Sequence, residues 1–259
     1  MTKSFEMDAL QLFLGDPYVI NDNIIIRQPT IGEVAVYGER DYYSMVHTIT
    51  AIPSSMKSQL DDIGLDYEQV SDFDLFIMLS RTLDKERTEI ILGDLDLSNL
   101  RPFKNNQNNE IVLLDKDTGT IIDRFIYERM VNHIRKMHGL KKKVEKAKNA
   151  MTKKILIEED RRNIELNKNK PYNSFLMPLI SSVKARQGYT LDYIKNEGLV
   201  EFFDEVNRLQ IIHNADALLS ACYSGFCDTS KMDKKALNWM RDINEDTQHR
   251  AQPEEAKKK

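Results

Sequence analysis

The chain has 259 residues, 41% apolar and 30% charged, with 10 Gly, 7 Pro and a net charge of −4. That supplies a core for one large or two small domains and argues against a loop-rich fold. No run approaches the roughly 18 apolar residues of a membrane span, the N-terminus lacks the apolar segment of a signal peptide, and Cys222 and Cys227 are too few for a disulfide framework or a zinc site; a cytoplasmic chain with reduced thiols is the expectation.

In chain order, Met7 to Leu14 predicts a short helix ahead of Gly15-Asp16-Pro17. Tyr18 to Arg27 reads as two short strands about Asn21-Asp22-Asn23. Thr30 and Glu33 match a capping box, in which hydroxyl and carboxylate each satisfy one first-turn amide, so a helix should start there. Gly38 should interrupt it before Tyr42, Met45, Val46 and Ile49. Pro53-Ser54-Ser55 opens another short helix that stops near Gly64, and Ser71 with Asp74 makes a second box ahead of Phe73, Phe76, Ile77 and Leu83. Glu89 to Leu92, Leu95 to Leu100 and Ile111 to Leu114 read as strands, with an Asn-rich loop over Lys104 to Asn109. Asp115 to Gly119 is a turn joining Ile111–Leu114 to Thr120–Ile122 in a β-hairpin.

Asp123 can cap a helix whose apolar face is Phe125, Ile126, Met130, Ile134 and Met137, ending or bending at Gly139. Arg135 to Lys154 holds nine Lys or Arg and one acid, Glu145. Helix formers continue to about Asn169, and Val144, Ala147, Met151 and Ile155 supply a thin seam at helical spacing. A short apolar helix over Ser174 to Val183, a break at Gln187-Gly188 and a lead-in over Thr190 to Lys195 precede Gly198 to Cys222. That stretch carries the strongest helical period of the chain, through Leu199, Phe202, Phe203, Val206, Leu209, Ile212, Ala215 and Leu219. Phe202 and Leu209 are both expected to be buried on it. Tyr223-Ser224-Gly225 turns the chain, Ser230 with Asp233 caps a last helix carrying Ala236, Trp239, Met240 and Ile243, and a polar tail follows.

The elements predict a mainly α protein with a small β insertion, a multi-helix bundle carrying a β-hairpin. The organisation read from them is an N-terminal helical region with a short hairpin (1–85), a small β insertion (86–122), a long basic helical arm (123–170), a C-terminal helical core (171–243) and a disordered tail (244–259). Charge is uneven: residues 1–100 hold 18 acids against 7 bases, and 101–259 hold 23 against 30. The simplest account sets an acidic and a basic region side by side; the other is a nucleic-acid surface.

Tests for chemistry return little. Asp115, Asp117 and Asp123 do not make a calcium loop, because Gly119 falls at position 5 and Ile126 stands where a bidentate Glu is needed. His133 and His138 are five apart and do not share a helical face, so solvated or locally satisfied imidazoles are expected. No Gly-x-Ser-x-Gly, P-loop, Gly-x-Gly-x-x-Gly or Cys-x-x-Cys occurs. The basic run could neutralise phosphates, but no aromatic residue lies between Tyr127 and Tyr172 to stack on bases.

Ile26-Arg27-Gln28-Pro29-Thr30-Ile31-Gly32-Glu33-Val34 resembles the strand-then-helix opening of tail assembly chaperones and related tail-module proteins of tailed bacteriophages. Asp41 to Met45, Ser71 to Phe76, Pro178 to Ser182, Cys222 to Phe226 and Lys235 to Met240 resemble phage proteins of Gram-positive hosts. The resemblance implies a non-enzymatic morphogenesis protein, without cofactor or metal, that holds tape-measure or tail-tube subunits in the host cytoplasm. An alternative is a structural protein kept in the virion at the neck, tail or baseplate, and a third is a nucleic-acid-binding protein using 135–154. The expected partners are phage tail proteins, with self-association as a further partner and no membrane. The residues expected to meet a partner are Lys141, Lys142, Lys143, Val144, Ala147, Met151 and Ile155.

Overall fold

The computed structural model of the protein describes residues 7–104, 110–224 and 234–243. The fold is mainly α with two small antiparallel sheets. Helix α1 (Ala9–Phe13) starts where the Asp8 carboxylate accepts from the Leu10 amide at 3.1 Å. Strands β1 (Tyr18–Asn21) and β2 (Ile24–Ile26) form the expected hairpin, with Ile24 and Ile26 buried and Ile25 exposed, as strand alternation requires. The capping box is present at α2 (Ile31–Tyr37): the Thr30 hydroxyl accepts from the Glu33 amide at 3.2 Å, and the Thr30 amide donates to the Glu33 carboxylate at 2.8 Å. Gly38, at φ +100, separates α2 from α3 (Glu39–Ile49), a backbone angle that disfavours any side chain.

A 3₁₀ turn (Pro53–Ser55), α4 (Lys57–Asp62) and α5 (Asp72–Ser80) follow, the last capped by Ser71. Beyond them the sequence reading needs correction. Glu89 to Leu92, expected as a strand, belongs to α6 (Lys85–Leu92), capped by Asp84 through the Arg87 amide at 2.9 Å. Ile90, Ile91 and Leu92 are all buried at the end of the helix, a continuous apolar run that has the same pattern as a buried strand. Leu95 to Leu100 likewise holds a 3₁₀ turn (Leu97–Asn99). The three-stranded sheet consists of β3 (Arg101–Lys104), β4 (Ile111–Leu114) and β5 (Ile121–Ile122) in that order. β3 was not anticipated, because Pro102 depresses strand propensity; as an edge strand it tolerates the missing donor. The expected β4–β5 hairpin turns on Asp115, which accepts from the Asp117 amide at 2.9 Å and the Thr118 hydroxyl at 2.8 Å. The Asn-rich positions 105–109 lie outside the described residues.

Helix α7 (Arg124–Met137) is capped by Asp123 and closed by Gly139 at φ +63, where the Leu140 amide returns to the Arg135 carbonyl at 2.8 Å. No helix spans Arg135 to Asn169: residues 141–147 hold no regular secondary structure, and α8 (Ala150–Asn167) starts afresh on Asn149. Helices α9 (Leu176–Gln187), α10 (Leu191–Asn196) and α11 (Leu199–Tyr223) follow. In place of the expected last helix there is a 3₁₀ turn (Lys234–Leu237), with Trp239 and Met240 exposed; the Ser230–Asp233 cap lies outside the described residues, as do Cys227 and the tail from Asn244.

The main core is built around α3 and α7, whose Tyr42, Met45, Val46, Met130, Val131 and Ile134 are fully enclosed. α11 contributes Leu199 and Phe202 to it, and Leu209 is only half-buried, contrary to expectation. The apolar period runs the length of α11, but from Gln210 onward only Ile211 and Ala215 are buried. A smaller cluster of Leu60, Tyr67, Leu75 and Ile157 sits under α8.

Candidate functional site

The basic segment crosses the acidic first hundred residues as a strap. Lys142 pairs with Asp72 at 2.5 Å, Glu145 with Lys57 at 2.7 Å, and Lys153 with Glu68 at 2.8 Å and with Asp66. Arg161 bridges Asp61 and Asp62 at 3.1 and 2.7 Å, and Asp160 accepts from the Ser58 hydroxyl at 2.7 Å. The strap backbone is held too: the Ala147 amide donates to Glu68 at 2.8 Å and the Lys143 carbonyl accepts from Ser54 at 3.3 Å. The two oppositely charged regions therefore lie side by side. A helix here would stack Lys142 over Lys146 at like-charge spacing with little apolar face in return, so the strap that meets carboxylates is favoured.

This arrangement redistributes the seven residues expected to meet a partner. Val144 and Ala147 are on the strap, not on a helix, and Val144 is exposed while Ala147 is half-buried. On α8 the residue that packs inward is Ile157, together with the ion-paired Lys153, Asp160 and Arg161. Met151 and Ile155 lie on the other side, 75% and 48% exposed. The seam read from the sequence is thus the outer face of a helix whose inner face is already docked. Among the described residues, none of Lys141, Lys143, Lys146 and Lys148 is ion-paired.

A second feature is a cleft of about 830 Å³ bounded by α1, α3, the end of α7, α11 and residues 172–175. Its walls are largely apolar, with Leu12, Met137, Leu140, Phe175, Val200 and Phe203. Tyr43 borders it with its hydroxyl enclosed and without a hydrogen-bond partner, and burial raises its pKa above the ordinary phenol range. Beside it the Tyr42 hydroxyl lies 2.6 Å from His138 Nε2, and His138 Nδ1 lies 2.7 Å from the Ile134 carbonyl. A carbonyl only accepts, so Nδ1 carries the proton and Nε2 accepts from Tyr42. Glu39 fixes the far wall by accepting from the Phe175 and Leu176 amides at 2.7 and 2.9 Å. The cleft is of a size and apolarity that suit an apolar side chain. Tyr43 did not stand out in the sequence, and His138 was weighed there only with His133, since only folding brings Tyr42, His138 and Phe175 together.

Burial holds both His138 and His133, which stacks on Tyr18 with ring centroids 4.4 Å apart, down to a pKa of about 4. Neither is solvated as a free imidazole would be. The folded-state pKa lies below the ordinary value of 6.5, so this stabilisation is complete above pH 6.5 and is lost as pH falls toward 4. Imidazole proton resonances of these two residues should stay at their neutral positions at pH 5.5, below the ordinary histidine value of 6.5. Titration of either ring near 6.5 would show that it is hydrated.

Among the described residues, no group of three or more His, Cys, Asp and Glu gathers as a ligand set, and no helix is long and apolar enough to cross a membrane. No family model, curated protein or solved structure matches the chain.

Proposed function

We propose that the protein is a non-enzymatic binding protein of tailed-phage assembly, which holds a tail tape-measure or tail-tube subunit through the outer face of α8. The observation that carries this reading is the pair Met151 and Ile155, exposed on a helix that is fastened to the body by its opposite face. An already ordered helix gives up little entropy on binding, and a Met beside an Ile fits a shallow apolar groove. Lys146, Lys148 and Lys154, exposed nearby, suit a partner with an acidic rim, and such charges speed encounter more than they set affinity. The phage assignment itself rests on the resemblance of Ile26 to Val34 and the other segments quoted above.

The nucleic-acid reading is weakened because Arg135, Lys142 and Lys153 are spent within the molecule, Arg135 on the Thr50 carbonyl at 2.8 Å. Replacing Met151 and Ile155 together by Ser should abolish co-purification of a tail subunit from infected cells while the thermal midpoint stays put. Reversing Lys141 and Lys143 to Glu should slow association and matter less at high salt. If both variants retain the partner, the binding face is elsewhere. Finding the protein in purified particles would favour a structural virion component over a chaperone that leaves.

A further inference from the structure

At the corner between α10 and α11 the C-terminal helices are joined to the N-terminal hairpin unit. The Glu197 carbonyl accepts from the Ile31 amide at 3.0 Å, the Leu199 amide donates to the Pro29 carbonyl at 3.0 Å, and Thr30 and Gly198 form a β-bridge. The Val200 amide donates to the Gln28 side chain at 3.3 Å. Within this corner the Glu197 side chain is 5% exposed, and its Oε2 receives no hydrogen bond. Glu205, two turns along α11, also has an enclosed Oε2 without a donor, and the two carboxyl groups are within hydrogen-bonding reach of each other. The other Glu205 oxygen accepts from the Gln187 amide group at 3.2 Å.

Among the described residues, the groups that act on Glu197 include no cation. From α11 the groups that face Glu197 are Glu201 and Glu205, and from α10 and the turn before it Tyr193 and Tyr189, whose rings pack 4.4 Å apart. α9 brings the neutral Gln187 and the β2–α2 loop the neutral Gln28. The nearest pair of opposite charges on α10, Asp192 and Lys195, is exposed to water, 91% and 63%.

We propose that Glu197 and Glu205 share one proton and act as a pH-sensitive latch that holds the α10–α11 corner on the β2–α2 loop. Glu205 is itself only half-buried, but two carboxylates that bring enclosed, donorless oxygens together do not both stay ionised, whereas one proton between them makes a short, charge-assisted O–H···O bond and satisfies both orphan oxygens. The proton comes from solvent and returns to it, and no other reactant is involved. Burial first, and the neighbouring Glu205 and Glu201 second, push the Glu197 carboxyl up to about 7. An acid whose pKa is higher folded than unfolded stabilises the fold fully below its ordinary value of 4.5, and that gain is lost as pH rises through about 7. Above that, the two carboxylates repel, Glu197 must turn out to water, and the corner loosens at Ile31 and Leu199.

Carbon-13 NMR of glutamate side chains in the full-length protein tests this directly. One carboxyl carbon, assigned by its loss in E197Q, should titrate near pH 7 while exposed glutamates titrate near 4–5. Amide exchange at Ile31 and Leu199, corrected for the intrinsic pH effect, should rise about tenfold or more between pH 6 and 8 in the parent. In E197Q, whose amide still donates to Glu205, that rise should vanish. The latch is refuted if Glu197 titrates with the exposed glutamates, or if E197Q keeps the parent's pH dependence. Should E197Q not fold, the parent's exchange profile decides: a flat corrected rate at both amides refutes the latch, and the tenfold rise sustains it.

Discussion

Phe202→Ala is expected to lower the free energy of unfolding by about 3–5 kcal/mol, read from the midpoint of a urea titration. The ring is fully enclosed in the main core, against Phe203 at a centroid distance of 5.9 Å, and the first turns of α11 and the corner before them would not collapse readily around the void. Leu209 sits on the same helical stripe but is half-buried, so Leu209→Ala should cost only ~1–2 kcal/mol. The contrast is the informative part. Equal losses at the two positions would mean that α11 is buried along its length, and a loss under about 1 kcal/mol at Phe202 would remove it from the core.

Gly32→Ala should destabilise by about 1–3 kcal/mol, although alanine inside a helix ordinarily gains up to about 1 kcal/mol over glycine. A methyl group at Gly32 would stand 2.8 Å from the Lys195 carbonyl oxygen and 3.2 Å from the Lys195 Cβ. The first of these is backbone, so it can yield only if α10 moves as a unit, and α10 is tied there by the Ile31–Glu197 hydrogen bond at 3.0 Å. Val36→Ala on the same helix, 91% exposed, supplies the control and should change stability by no more than about 0.5 kcal/mol. A stabilised Gly32→Ala variant would show that α2 and α10 are not in close contact.

Local chemistry was legible in the sequence wherever one or two neighbouring residues decide the outcome. Thr30 with Glu33, Ser71 and Asp123 each cap a helix in the structure through bonds spanning three residues, as expected, and a motif of that reach is complete in the chain; Asp84, Asn149 and Thr190 also cap helices, at starts the sequence reading did not place. The hairpin turns at Asp22-Asn23 and Asp115–Gly119 are of the same kind. The helical period of Gly198 to Cys222 also became a helix, 25 residues from Leu199 to Tyr223.

Which apolar face meets which partner was not legible there. Met151 and Ile155 have helical spacing, yet it is Ile157 that is buried, because the orientation of α8 follows from Arg161 and Lys153 reaching Asp61, Asp62, Asp66 and Glu68. Glu89 to Leu92 has the pattern of a strand, yet it is the end of a helix whose last three residues are buried in the core. The sequence by itself determined the helix starts at Thr30, Ser71 and Asp123, the hairpins, the mainly α class and the segregation of charge, because each is set within a few residues or by composition. Tertiary structure alone decided that α3 and α7 form the centre, that the lysine-rich segment is a strap, that Tyr43 borders a cleft and that Glu197 meets Glu205. Those outcomes depend on side chains brought together from distant parts of the chain, where burial and the lack of a donor change what a phenol or a carboxyl group can do.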